Sequence, residues 1–474
     1  MPLNFSHSAH SNCPSARNLE EMITYYRETF MLCPPGHPDR STLVTNLANV
    51  VRIRYEQSSR MEDLEEAITY YQEALTLRPP GHPDRPFSLN NLANAVHYSL
   101  KQSGRMEDLE EVITYHHEAL TLRPPGHPVR PCSLDSLAIA VLTRYDQLNR
   151  MKDLEEVITY FREALTLRPS GHPHRSASLD KLAIVILTRY KRLGKMEDLE
   201  EAITYCHEAL TLLPPGHPHR SCSLNNLANA IQIRYEQSSR MEDLEEVITY
   251  YHEVLTLCPP GLPRRSFFLN CLAFAVHARY KQLGRMEDLE EAITYHHEAL
   301  TLRPPGHPHR STSLNNLASA VLTRYEQLGR TEDLEEAITC HHEALTLRPP
   351  GHPYRSSSLS DLANAVLTHY EQSGRMEDLE EAVTYHSEAL TLRPLGHPDR
   401  SSSLNNLANA VYARYEKTSM VEDFEESFSL REQAVNDSAA SSMYRVTAAI
   451  HWARQAQNNH HNSDTCLLND PSSS

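Results

Sequence analysis

The chain has 474 residues, 40% of them apolar, and a formal charge of −17. So acidic a surface repels phosphate backbones and anionic lipid, which excludes nucleic acid and membrane from the expected partners. Nine cysteines without a Cys-x-x-Cys pair exclude a zinc knuckle and a disulfide framework, and they predict a reducing, cytoplasmic setting.

All fourteen glycines fall in two columns of a 45-residue repeat. Gly36, Gly81, Gly126, Gly171, Gly216, Gly261, Gly306, Gly351 and Gly396 form one; Gly104, Gly194, Gly284, Gly329 and Gly374 form the other. No two are close enough for a phosphate-binding loop, a dinucleotide fingerprint or a nucleophile elbow. The period itself predicts stacked units sharing one continuous core.

In chain order, residues 1–17 are polar, lack an apolar run of signal-peptide length and are expected to be disordered. The array is expected over 18–445. It opens with a partial unit at 18–33, a second helix without its first, and continues as nine units beginning at Ser41, Pro86, Pro131, Ser176, Ser221, Ser266, Ser311, Ser356 and Ser401. Residues 446–457, around Trp452, suit a capping helix, and 458–474 a disordered tail.

The unit 86–130 is representative. Leu89, Leu92, Ala93, Val96 and Leu100 recur at helical spacing and predict a first helix starting near Pro86, with Asn91, Asn94 and Tyr98 on the opposite side. Ser41, Ser176, Ser221 and Ser311 are the expected caps elsewhere. Gly104 breaks the helix, and Asp108, three residues before Glu111, reads as the capping box of a second helix through Leu109, Val112, Ile113, His116, Ala119 and Leu120. Pro124, Pro125, Gly126 and Pro128 end it. Of the thirty prolines, none falls inside a predicted helix.

Leu92-Ala93-Asn94-Ala95, Gly104, Ala119-Leu120 and Pro124 resemble the tetratricopeptide pattern, and Ala202 and Ile203 match its small-plus-apolar pair. The units are longer than the family's usual length of about 34 residues. Long units with Leu-Asn-Asn-Leu-Ala and a Gly-His-Pro connector are similar to those of kinesin light chains. They are also similar to fungal arrays that precede a caspase-like CHAT domain or follow a nucleotide-binding signalling domain. The resemblance implies an all-α fold, a right-handed superhelical solenoid of antiparallel helix pairs whose first helices line a binding groove.

On that implication the candidate groove residues are Asn46, Asn91, Lys181, Asn226, Asn316 and Asn406 in one column. Three positions on they are Asn49, Asn94, Ile139, Ile184, Asn229, Phe274, Asn364 and Asn409. Asparagine amides donate and accept, which suits a peptide backbone. The alternative is that they are solvated side chains copied by duplication. Ile139, Ile184 and Phe274 replace polar residues and are candidate apolar anchors.

The connector histidines His82, His127, His172, His217, His307, His352 and His397 lie a repeat apart. His116-His117, His296-His297 and His341-His342 diverge on a helix, so loop and helix packing is expected rather than a metal site. Arg54, Arg144, Arg189, Arg234, Arg279, Arg324 and Arg414, with the turn arginines Arg60, Arg105, Arg150, Arg240, Arg285, Arg330 and Arg375, are expected to face the acidic start of the second helices.

No catalytic residue, cofactor or metal is expected. The function expected is a non-enzymatic scaffold for an extended peptide or partner protein. The alternative is a sensory array cut from a CHAT-protease or nucleotide-binding immune-type protein.

Overall fold

The computed structural model describes residues 16–103, 106–262, 264–437 and 449–450. Most of the expected capping helix at 446–457, and nearly all of both termini, lie outside them. Among the described residues are nineteen helices and no strand. They run α1 (Ala16–Leu32), α2 (Arg40–Ser58), α3 (Met61–Thr76), α4 (Arg85–Ser103), α5 (Met106–Thr121), α6 (Arg130–Leu148) and α7 (Met151–Thr166). Next come α8 (Arg175–Leu193), α9 (Met196–Thr211), α10 (Arg220–Ser238), α11 (Met241–Leu257), α12 (Arg265–Leu283) and α13 (Met286–Thr301). The last are α14 (Arg310–Leu328), α15 (Thr331–Thr346), α16 (Arg355–Ser373), α17 (Met376–Thr391), α18 (Arg400–Thr418) and α19 (Val421–Asn436).

From α2 onward, even-numbered helices are the first helices of units and odd-numbered ones the second. A two-residue turn within each unit forces antiparallel pairing.

The chain divides into two compact units, Met1–Ala230 and Ile231–Ser474. In the first, α1 to α8 each pack on the next, α8 packs on α9, and α4 also lies beside α6. In the second, α11 to α19 follow the same order, and α12, α14, α16 and α18 lie side by side. The core is the one that the apolar spacing predicts. Leu314, Leu317, Ala318 and Val321 on α14 meet Ala337 and Ala344 on α15, all buried. Each buried leucine contributes about 2 kcal/mol, and the alanines let the helices approach closely.

The two glycine columns do different work. Inside the units the turn residue caps the first helix at φ of 53° to 68°, a left-handed conformation that Ser59, Asn149, Ser239 and Ser419 also adopt. At the joints the glycines sit at 85° to 98°, beyond the usual left-handed well of side-chain-bearing residues. Glycine is therefore kept at the joint in every unit.

First helices begin at the arginine, one residue from the expected start, as α4 does at Arg85. Two local expectations are corrected. Ser41, Ser176 and Ser311 are second residues of the first helices and do not cap; the flanking residues make no side-chain cap bond. Nor does aspartate cap the second helices. Met61, Met151 and Met196 begin them, so Asp63, Asp153 and Asp198 are third residues, as Asp108 is in α5.

Those carboxylates are taken by the first-helix arginines instead. Arg54, Arg189, Arg234, Arg324 and Arg414 reach Asp63, Asp198, Asp243, Asp333 and Asp423 at 2.7 Å, and His369 replaces arginine at Asp378 at 2.9 Å. The turn arginines do not share them. Each described one precedes a second helix with extended backbone, which sends its side chain into solvent, and the one ion pair found is exposed, Arg375 to Glu377 at 4.0 Å.

Candidate binding face

Packing each first helix on its second leaves one side uncovered. On α4 that side carries Phe87, Asn91, Asn94 and Tyr98, with Phe87 and Tyr98 exposed. The candidate groove residues occupy the same side in every unit. Ile139, Ile184 and Phe274 are exposed by 38%, 46% and 53%, large values for apolar side chains. Asn229 and Asn364 are exposed as well, while the remaining candidates are half-buried. Ile139 and Ile184 belong to the first compact unit and Phe274 to the second.

Half-burial has a cause, because several candidates are engaged inside the protein. Asn49 Oδ1 accepts from the Tyr71 hydroxyl at 2.7 Å, and Asn409 Oδ1 accepts from Arg431 at 3.1 Å. Lys181 Nζ donates to Asp135 at 3.0 Å and Asn226 Nδ2 to Asp180 at 3.3 Å, each tying two successive first helices. These four side chains hold the array together. Among the described residues, the side chains of Asn46, Asn94, Asn229, Asn316, Asn364 and Asn406 make no internal hydrogen bond, and the Asn91 amide nitrogen is buried without a partner.

Beneath the face runs a polar layer that apolar periodicity does not reveal. Arg78, Arg123, Arg168, Arg303, Arg348 and Arg393 follow the second helices and are all but fully buried. Each donates to the serine ten residues on: Arg78 to Ser88 at 2.7 Å, Arg303 to Ser313 at 2.8 Å, and likewise Arg123 to Ser133. Burial lowers the guanidinium pKa of Arg78, Arg123, Arg303 and Arg348.

The arginine opening each first helix clamps the joint. Arg85 Nη1 donates to the Arg78 carbonyl at 2.9 Å and its Nε to Glu118 at 2.7 Å, and Arg355 does the same with Arg348 and Glu388. The signal was present in the sequence as an arginine in the same column of every unit.

Of each adjacent histidine pair, the first member belongs to this layer. His116 and His296 pair through Nδ1 with Asn90 and Asn270 at 3.0 and 2.9 Å, and burial pushes both imidazoles down to about 3. They are neutral near pH 7, and since the asparagine oxygen can only accept, Nδ1 carries the hydrogen. The connector histidines fix their own turns: His82 Nδ1 accepts the Asp84 N–H at 3.1 Å, and His307 that of His309 at 3.1 Å. Among the described residues no three His, Cys, Asp or Glu side chains converge as metal ligands.

Models of the tetratricopeptide repeat match residues 400–439 and 58–80. Together with the recurring helix pairs, they show tetratricopeptide-type repeats in an all-α arrangement of antiparallel helix pairs. Among solved structures it is similar to the nearly identical TPR-like repeats of a kinesin light chain candidate from Podosopora anserina. There the identity is 22%, covering 46% of this chain and 98% of that one, with a TM-score of 0.35. BtubC (BKLC) from P. vanneervenii is 19% identical over 51% of this chain and 91% of its own, with a TM-score of 0.38. Human IFIT1, in a dimer with m7Gppp-AAAA, is 14% identical over 93% of this chain and 87% of its own, with a TM-score of 0.49. Such likenesses are of fold alone. No curated protein matches the sequence.

Proposed function

We propose that the chain is a non-enzymatic scaffold that holds an extended peptide or partner protein along the first-helix face, in the cytoplasm. One observation carries the reading: the core is nearly constant from unit to unit, whereas the uncovered side presents Asn94, Ile139, Ile184, Asn229, Phe274 and Asn364 at one repeat position. Internal packing does not require that variation, and it is the kind of difference by which a partner is told apart. The paired glutamates give no reason to expect acid–base chemistry, since they recur at the start of the second helices and hold arginines. Arg144, for example, bridges Glu110 and Asp153 at 3.3 and 2.8 Å.

No disulfide joins the described cysteines. No described helix is long and apolar enough to cross a membrane.

The test is affinity capture from native cell extract with the full chain and with Ile184→Asp, Asn229→Asp and Phe274→Asp, whose side chains are exposed and make no fold-holding hydrogen bond. Specific partners of the parent should be lost from the variants while circular dichroism stays unchanged. Capture that survives all three substitutions refutes the proposal.

A further inference from the structure

The joint at Gly216 departs from the joint at Gly171 at one carboxylate. On α6, Asp135 is met by two cations, the Arg168 guanidinium at 3.1 Å and the Lys181 ammonium at 3.0 Å. One repeat later Asp180 takes the same position on α8, but the residues 45 positions after Arg168 and Lys181 are Leu213 and Asn226. Its hydrogen bonds come from neutral groups, the Asn226 amide at 3.3 Å and the Ser223 hydroxyl.

The other titratable groups facing it are His219, at the start of α10, and the buried Cys206 thiol of α9. Burial raises the Asp180 carboxyl pKa, the expected response of a carboxylate short of positive charge.

The way in is also marked by the neighbouring repeat. Lys181 stands on the uncovered side, 38% exposed, and reaches Asp135 from there. At the position of Lys181, the next repeat has the half-buried Asn226, bonded to Asp180, and Ile184 and Asn229 on the same helices are exposed. A half-buried carboxylate gains most from a hydrogen-bonding cation, and a chain of charge −17 draws basic segments towards it.

We propose that Asp180 seats a lysine or arginine side chain of the partner segment, which supplies the cation that Arg168 and Lys181 give to Asp135, while Ile184 meets an apolar neighbour of that residue. The partner is thus a basic, partly apolar extended peptide, and the proposal rests on the first-helix-face reading above.

The experiment selects random displayed peptides on the full chain, then measures synthetic copies by fluorescence anisotropy against the parent, Asp180→Asn and Asn226→Lys. The second substitution copies the arrangement that Lys181 already makes one repeat earlier, so the fold tolerates it. Selected peptides should share a Lys or Arg and bind about tenfold more weakly to both variants. Replacing that residue by norleucine should cost the same on the parent and nothing more on Asp180→Asn. Peptides that are lost on Ile184→Asp, yet lack a basic residue or ignore both Asp180→Asn and Asn226→Lys, overturn the assignment and leave the face reading standing. Recovery of no peptide sensitive to any substitution on the face overturns both.

Discussion

Acidification probes the buried polar layer with an internal control. His116, His296, His341 and His386 lie on α5, α13, α15 and α17, each at most 2% exposed. Burial pushes them from 6.5 down to about 3, 3, 4 and 4. Because these folded-state values are depressed, the stability each histidine contributes is whole above pH 6.5 and is lost as pH falls towards its folded value. At about pH 5 an unfolded histidine is almost fully protonated while the buried one is not, a difference of about 2 kcal/mol per side chain.

Repeat arrays feel such losses mainly in the affected unit and its neighbours. The same column holds Phe161, Cys206 and Tyr251 on α7, α9 and α11. Amide hydrogen exchange, corrected for intrinsic rates, should therefore show α5, α13, α15 and α17 losing about 2 kcal/mol of protection between pH 7 and about pH 5, with α7, α9 and α11 losing far less. His296→Phe, which copies Phe161, should reduce the loss at α13 and leave the part carried by His277 on α12 of the same unit, which burial pushes down to about 4. Uniform loss across all second helices, or a loss at α13 that is undiminished in His296→Phe, would refute the reasoning.

Two further outcomes follow from the turns and the ion pairs. Gly351→Ala places a side chain at φ of +89° with nothing within 4 Å to clash, so backbone strain alone should cost about 1–2 kcal/mol. Gly329→Asn, at +64°, should cost only a few tenths in the same thermal melts; equal costs would contradict the division between joint and inner turn. Arg324→Met leaves the buried Asp333 carboxylate without its 2.7 Å partner and should destabilise by about 2–4 kcal/mol in urea unfolding. Arg330→Ala, an exposed turn arginine, should leave the midpoint unchanged.

The face was only partly legible in the sequence. Spacing placed Ile139, Ile184 and Phe274 correctly on the uncovered side, because a straight helix maps sequence onto direction at a fixed angle. It could not separate Asn49, Lys181, Asn226 and Asn409 from their neighbours, since whether an amide or ammonium is free depends on the helix beside it. Asn49 is claimed by Tyr71 and Asn226 by Asp180, contacts 22 and 46 residues away. The capping expectation failed because α3 begins at Met61, so Asp63 is its third residue and pairs with Arg54, nine residues earlier, at 2.7 Å.

The 45-residue period, the helix pair within it and the place of both turns were determined by sequence alone. Each rests on local physics: helical periodicity, proline's missing donor and glycine's freedom at positive φ. Tertiary structure alone decided which polar side chains are spent on joining units and which face outward. Hydrogen bonds and ion pairs between units form between side chains distant in sequence, and burial sets their strength. That is why Asp135 and Asp180, identical in the repeat pattern, end in different electrostatic surroundings.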